Sequence, residues 1–462
     1  MIDDTVAAVS TPRGKGGVAM LRVSGSQALQ ICERVFCPHN QKRLTQMPAR
    51  QAIYGRILAP DASGEWRSVD DGIATCFRAP ASFTGEDTVE ICCHGGILLT
   101  QTVLSALIAA GARPAEAGEF TRRAFLNGKL GLSAAEALGD ILEAQSAEQL
   151  ALAHNGMQGK VSARVGEIYD SMCKILASIY VKIDYPDEDL EDMNREEMLA
   201  ALDACEASLL DLIKTYRTGH AIAEGISTVI CGKPNVGKSS LYNRILGRDA
   251  AIVTDVEGTT RDILSDSATL GRVTLRLFDT AGLHRTEDTV EKIGIERARK
   301  ALTDAELILA VFDGSRAPDG EDLALAEELA TSSATVIALL NKRDLGACED
   351  AFYRARFAHV IPISVQSGEG FSVLSDTVEQ LFCDGSLDTR HDVILSNARQ
   401  HGAAFAALCA LRAAQKGLRE GLATDLCCTD VEAAMRALSE LDGRAVTEDI
   451  ISQIFSHFCV GK

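Results

Sequence analysis

Gly232-Lys233-Pro234-Asn235-Val236-Gly237-Lys238-Ser239 decides how the middle of this chain folds. The run fits the phosphate-loop pattern G-x-x-x-x-G-K-[ST]. Ahead of it, Ile226 to Cys231 reads as a buried strand; behind it, Lys238 to Leu246 reads as a helix. Strand, loop and helix in that order are what a phosphate cradle needs. The glycines let backbone N–H groups converge on phosphate oxygens, and the helix N-terminus adds a favourable dipole. Lys238 then reaches the outer phosphates, and the Ser239 hydroxyl holds a magnesium ion.

Three more segments follow in the order a nucleotide site requires. Asp279-Thr280-Ala281-Gly282 ends the alternating run Val273 to Phe278, which aims Asp279 at the magnesium shell and the Gly282 N–H at the terminal phosphate. Asn341-Lys342-Arg343-Asp344 follows the strand-like run Thr335 to Leu340. A carboxylate there accepts from both the ring N–H and the exocyclic amine of guanine, whereas adenine offers the wrong pattern, so Asp344 selects GTP over ATP. Ser364-Val365-Gln366, after Val360 to Ile363, stands where a guanine-contacting loop is expected. Each string alone is weak evidence; together and in this spacing they predict a GTPase. The expected nucleotide set within the phosphate loop is Asn235, Val236, Gly237, Lys238, Ser239 and Ser240.

Leu283 occupies the place where many Ras-like switches carry the glutamine that positions the attacking water, so another group must handle that water. Asn235 and the switch I segment Thr254-Asp255-Val256-Glu257-Gly258-Thr259-Thr260-Arg261-Asp262 suggest how charge is offset instead. An asparagine with loop carbonyls opposite it can cage a potassium ion, which does the work of an arginine finger. Asn235 also fits a loop-stabilising amide, and N-x-G-K-S is common to many ribosome-associated GTPases.

The chain has 462 residues, enough for about three domains, and 46% of them are apolar. No apolar run approaches a membrane span and no signal-peptide pattern opens the chain, so a cytoplasmic protein is expected. Fourteen cysteines lack any C-x-x-C spacing and read as free thiols in a reducing compartment. A net charge of −19 disfavours broad adhesion to nucleic acid, so any RNA contact needs a local basic patch or a partner. The acidic stretch from Asp184 to Glu197 reads as a solvated loop and helix start, with partner binding as the alternative.

The fold class expected is multidomain α/β. Residues 1–118 mix short strand-like runs (Thr5 to Val9, Val18 to Val23, Ile73 to Phe77, Thr88 to Cys92) with helices near Gln27 to Val35 and Leu98 to Ala110, an N-terminal α+β domain. Residues 119–221 turn helical, with Ser133 and Glu136 spaced as a capping box. Residues 222–382 alternate strands with helices and predict an inserted P-loop G domain with a doubly wound sheet. Residues 383–462 return to helix at Ser396 to Lys416, Asp430 to Leu441 and Thr447 to Phe458, completing one discontinuous helical domain. The chain closes on Phe458-Cys459-Val460-Gly461-Lys462, a short mobile tail whose cysteine reads either as a plain terminal residue or as a functional one.

These motifs resemble those of the MnmE (TrmE) family of tRNA-modification GTPases. The resemblance is carried by Asn235 to Ser239, Gly258 to Asp262, Asp279 to Leu283 and the terminal C-V-G-K. It is carried as well by Thr11 to Val18, by Ser82 to Asp87 with His94-Gly95-Gly96, and by Gly118-Glu119-Phe120 with Ala124 to Lys129. The resemblance implies a GTP hydrolase that works with the flavoprotein MnmG (GidA) on the wobble uridine of certain tRNAs. It would install a (carboxymethyl)aminomethyl group at C5, with glycine or ammonium as second substrate left open. It implies a folate bound by the N-terminal domain, 5-formyltetrahydrofolate or methylene-tetrahydrofolate, at Arg22, Glu90, Lys129 and Lys462. It implies magnesium at Ser239 and Thr260, potassium at Asn235, Thr254, Val256 and Thr259, and a catalytic water network organised by Glu291. Cys459 matches a cysteine needed for modification, its chemical role open, and a homodimer through the N-terminal domains is implied. A regulatory or ribosome-assembly GTPase without carbon transfer is the competing expectation; the N-terminal motifs and the terminal cysteine weigh against it.

Overall fold

In the computed structural model, which describes residues 4–12, 14–184, 193–249, 265–278, 303–445, 447–456 and 458–461, alternating runs near the N-terminus build one sheet. Its strands are β1 (Val6–Val9), β2 (Val18–Ser24), β3 (Phe36–Pro38), β4 (Ala52–Pro60), β5 (Trp66–Phe77), β6 (Thr88–His94) and β7 (Arg113–Pro114), in the order β3-β4-β5-β6-β2-β1-β7. All neighbours are antiparallel except β1 and β7. Leu21, Val23, Val89 and Ile91 point to one face and are buried with Leu29 and Val35 of α1 (Ala28–Val35) and Leu107 of α2 (Ile97–Ala109). Each such side chain contributes about 1.5–3 kcal/mol over an exposed one. On the other face Val6 and Ala8 meet Phe120 of α3 (Glu119–Leu126).

Strand β4 was not evident in the sequence because Gly55 interrupts its apolar alternation, and the first half of β5 because Trp66 to Val69 are all exposed and carry no alternation. Gly55 and Gly72 sit where a Cβ would fall 2.5 Å from the Cys37 carbonyl and 2.3 Å from the Cys92 carbonyl. The close approach of strands demands glycine there. The capping box expected at Ser133 is a second correction. Helix α4 (Leu132–Glu143) already includes Ser133, whose hydroxyl donates to the Leu441 carbonyl at 3.2 Å. Capping boxes occur instead at Ser146 with Gln149 and at Asn194 with Glu197.

Contacts divide the chain into two units, one of Met1–Gly139 with Ser439–Lys462, the other Asp140–Leu438. The sequence-based limits carry the helical segment through to residue 462. In the structure the amphipathic helix Glu448–Ser456 buries Ile451 and Phe455 against Ala135, Phe125 and Leu130, within the first unit.

In the second unit α5 (Ala147–Met157), α6 (Lys160–Asp184) and α7 (Arg195–Ala223) precede an inserted module, and helix Ala398–Arg419 follows it. Leucines 202, 209 and 212 of α7 and Leu408, Leu411 and Leu418 of the later helix are buried, while Gln415 and Arg419 donate to Asp203 at 2.8 and 2.7 Å. The helical domain is therefore discontinuous, as expected. The inserted module holds β8 (Ile226–Gly232), β9 (Ser265–Leu270), β10 (Val273–Phe278), β11 (Leu307–Asp313), β12 (Thr335–Asn341) and β13 (His359–Pro362), in the order β13-β12-β11-β8-β10-β9. Only β9 and β10 pair antiparallel. Every residue of β11 is buried, which is the mark of a parallel strand covered on both faces. Among the described residues no helix is long and apolar enough to cross a membrane.

The chain enters this module through a charged clasp. The His220 ring lies 3.1 Å from Glu224 and 3.3 Å from Glu306, Glu306 accepts the Ser227 N–H at 3.0 Å, and Glu224 accepts the Ala398 N–H at 3.4 Å. The carboxylates of Glu224 and Glu306 outweigh burial and raise the His220 pKa from 6.5 to about 9. A group whose folded pKa is raised contributes its full stability below the unfolded value and loses it as pH climbs through the folded one. Wild-type stability should therefore fall by about 1–3 kcal/mol between pH ~6.5 and ~9 beyond any loss in His220→Gln. Urea unfolding of both proteins across that range checks this; parallel curves would remove the clasp from the account.

Candidate functional site

At the carboxyl end of β8 the chain makes a tight loop. Asn235 adopts a left-handed φ of +63°, and Gly237, at +103°, leaves no room for a side chain: a Cβ would lie 2.3 Å from Asn341 Nδ2. Helix α8 (Lys238–Asp249) starts directly after it. Lys238 Nζ donates to the Lys233 carbonyl at 2.7 Å, and burial holds its pKa below the usual lysine value. Lys233 is itself anchored, its ammonium paired with Asp319 and 3.3 Å from Asp322. Asp319 caps helix Gly320–Ala330 and accepts the Glu321 and Asp322 N–H groups, so the phosphate loop is tied to a second helix terminus.

At the ends of β12 and β13 lie the other two segments. The Asn341 side chain is buried; its Nδ2 donates to the Val236 carbonyl at 2.8 Å and its Oδ1 accepts the Val365 N–H at 3.0 Å. One amide thus joins the phosphate loop to the Ser364–Gln366 loop. Ser364 Oγ donates to Asp344 at 2.6 Å, leaving the carboxylate's second oxygen outside that bond. Arg343 donates to the Gly314 and Cys348 carbonyls and to Asp350. Lys342 donates to Asp313 at 2.8 Å. Burial opposes ionisation of Asp313, yet Lys342 and the Ser315 donors outweigh it and hold the carboxyl below its usual range. Asp313 was not singled out in the sequence; its one signal is an acidic residue closing the apolar run Leu307–Phe312.

The structure therefore brings together Asn235 to Ser240, Asn341 to Asp344 and Ser364 to Gln366 at the carboxyl ends of the parallel strands of one sheet, where ligands of open α/β sheets bind. Thr254 to Thr260, Asp279 to Gly282 and Glu291 lie outside the described residues. Among the described residues no cluster of histidine, cysteine and carboxylate groups has the arrangement of a transition-metal centre.

The N-terminal unit assembles a second group. Arg22 on β2 donates through Nε and Nη2 to Glu90 Oε1 on β6, at 3.0 and 2.8 Å. Its guanidinium stands 5.4 Å from the Phe83 ring and 5.6 Å from the Phe120 ring. Lys129 Nζ donates to the Pro80 carbonyl at 2.9 Å and Asn127 to the Thr84 carbonyl at 2.8 Å, so Arg22, Glu90 and Lys129 all gather at the loop carrying Phe83. The buried Arg123 holds that loop from beneath, donating to Glu86, Glu119 and Asp4. Lys462 lies outside the described residues.

The tail expected to be mobile is docked. Cys459 is exposed, but its carbonyl accepts the Gly118 N–H at 3.4 Å, Val460 bridges to Ala117, and the Gly461 carbonyl accepts Ser10 Oγ at 3.0 Å. Gly461, at φ +103°, packs so close to β1 that a Cβ would lie 2.3 Å from the Val9 carbonyl.

Replacing Asn341 by alanine strands a buried acceptor and a buried donor. Asn341→Ala should weaken nucleotide affinity at least tenfold and cost about 2–4 kcal/mol of stability. Titration with a fluorescent nucleotide and thermal unfolding check both; unchanged affinity would dissociate the amide bridge from binding.

Comparison with known proteins accounts for nearly the whole chain. The model described as "MnmE helical domain" matches residues 132–459, and that described as "GTP-binding protein TrmE N-terminus" matches residues 5–129. The tRNA modification GTPase MnmE of Lactococcus lactis strain IL1403 is 40% identical over 99% of this chain and 98% of its own length. That of Symbiobacterium thermophilum is 40% identical over 100% of both. The G domain of the T. maritima FeoB iron transporter matches 33% of this chain and 96% of that chain at 26% identity, with a TM-score of 0.25. With the two family models matching residues 5–129 and 132–459 and relatives at this identity over nearly their full length, the chain belongs to the MnmE (TrmE) family.

Proposed function

We propose that this chain hydrolyses GTP as a component of tRNA wobble-uridine modification, in the cytoplasm and as a homodimer through its N-terminal unit. The observation that carries this is the coexistence, in one chain, of the Asn341-bridged nucleotide site and the Arg22, Glu90 and Lys129 group, in a family whose curated relatives are named tRNA modification GTPases. The N-terminal group suits a folate. Both Arg22 bonds use Glu90 Oε1, which leaves Oε2 for the pterin N–H edge, and Lys129 suits a carboxylate of the folate tail. The folate, 5-formyl- or methylene-tetrahydrofolate, would supply the one-carbon unit, and a flavoprotein of the MnmG type the redox step. With a net charge of −19, the chain would meet tRNA through a local patch or through that partner.

For hydrolysis, Ser239 with Thr260 would hold magnesium. Asn235, exposed on its left-handed turn, offers an amide oxygen to potassium alongside Thr254, Val256 and Thr259. Bound there, the cations would offset charge on the transferring phosphoryl group, while Lys238 would bind the outer phosphates and Glu291 would orient the water.

Wobble nucleosides of cells lacking this protein, complemented with wild type or Cys459→Ser, test the modification chemistry. The expected result is a C5 adduct restored by wild type alone, its mass distinguishing glycine from ammonium incorporation. A nucleoside profile unaffected by the deletion would favour a regulatory GTPase. Turnover of GTP by the purified chain should be more than about tenfold faster in potassium than in sodium chloride; equal rates would remove the potassium cage.

A further inference from the structure

Helix α8 carries Lys238 and Ser239 in its first turn and Arg244 on its next turn. Arg244 Nη1 donates to the Val365 carbonyl at 2.5 Å and to the Gln366 carbonyl at 3.2 Å. The guanidinium stands 5.2 Å from the ring centroid of Phe371, which opens the helix after the loop. Two successive carbonyls of the Ser364–Gln366 loop are therefore held by one cation from the helix that follows the phosphate loop.

In a trans peptide the carbonyl and the following N–H point in opposite directions. Fixing the Val365 carbonyl to Arg244 turns the Gln366 N–H away from Arg244. Of its neighbours, the Val365 N–H is taken by Asn341 and the Ser367 N–H by Ser364 Oγ at 3.1 Å. The Gln366 N–H has no hydrogen bond to a described residue. Ser364 and Asp344 bond each other at 2.6 Å, so this donor stands on the loop that meets the carboxylate. Asp344 accepts from the N1–H and 2-amine of guanine; the remaining mark of that base is an acceptor, O6.

We propose that Arg244 is a positioning residue for base selectivity: by holding the Val365 and Gln366 carbonyls it aims the Gln366 N–H at the 6-oxo group of the purine. This rests on the nucleotide site proposed above. The planar guanidinium suits the task because one group both bonds two carbonyls and stacks on Phe371, which a lysine cannot do.

The test compares dissociation constants of GDP, 6-thioguanosine diphosphate and inosine diphosphate for the full chain, Arg244→Ala and Arg244→Lys. The thio analogue weakens the 6-position acceptor and keeps both groups read by Asp344; inosine loses the 2-amine and keeps the 6-oxo group. Arg244→Ala should bind GDP about tenfold more weakly. Its preference for GDP over the thio analogue should collapse towards one while the penalty for inosine stays as in wild type. Arg244→Lys should fall between, and carries the same test if the alanine variant does not fold. A thio penalty unchanged in both variants overturns the proposal, as does a loss of both penalties together, which would mean general loosening of the site. A wild type that binds none of the three overturns the nucleotide site itself.

Discussion

The buried amide of Asn341 is the contact on which the nucleotide site depends. Its two hydrogen bonds, to the Val236 carbonyl and from the Val365 N–H, join loops that are far apart in sequence and that emerge from different strands. Each loop buries one valine in the module's core, Val236 and Val365, and the amide fixes the polar backbone between them. A buried amide offers donor and acceptor in fixed geometry, and leaving either unpaired costs more than making the bond gains. That asymmetry turns a modest interaction into a specification: the phosphate loop and the base loop are correct together or not at all. Gly237 is part of the same constraint, since a Cβ there would occupy the space of Asn341 Nδ2.

Around this bridge the charged contacts share a logic. Lys233 to Asp319, Lys342 to Asp313 and Arg244 to the Val365 carbonyl each take a side chain from a nucleotide segment and fix it to a neighbouring element. The sheet beneath them, with β11 buried on both faces, gives these contacts a rigid base. Insertion into a helical domain is tolerated because entry and exit are held side by side. Glu224 at the entry accepts the Ala398 N–H at the exit, and His220 links both to the start of β11 through Glu306. Gly219 lets that exit segment pass close against α7, a Cβ there falling 1.9 Å from the Leu395 carbonyl.

Much of this was legible in the sequence, and the division follows the range of the interactions. The phosphate loop and strands β8, β10, β12 and β13 were readable because their chemistry is local: glycine spacing, an apolar run, a following helix. Arg22 and Glu90 were found through family resemblance, and their register as cross-strand partners needed the sheet. Asp313, Arg244 and Arg123 were not found. Each acts on groups distant in sequence, Arg123 on Asp4 and Glu86, Arg244 on the Val365 and Gln366 carbonyls, and no periodicity marks such a partner. Strand β4 was hidden for the opposite reason, since the glycine that lets strands approach also erases the alternation that announces them.

The C-terminal residues show how a position of low information in sequence gains it from packing. A cysteine followed by only three residues of the sequence has no pattern around it. Once helix Glu448–Ser456 lies on α3, with Phe455 and Phe458 near Gly118, the chain must leave along Ala117 and the end of β1. Val460 pairs with Ala117, and Gly461 fits only because it has no side chain. Backbone bonds on both sides of Cys459 hold the main chain while its thiol stays exposed. A reactive or ligand-facing group needs that combination, since an unanchored tail loses conformational entropy whenever its thiol is brought to a target.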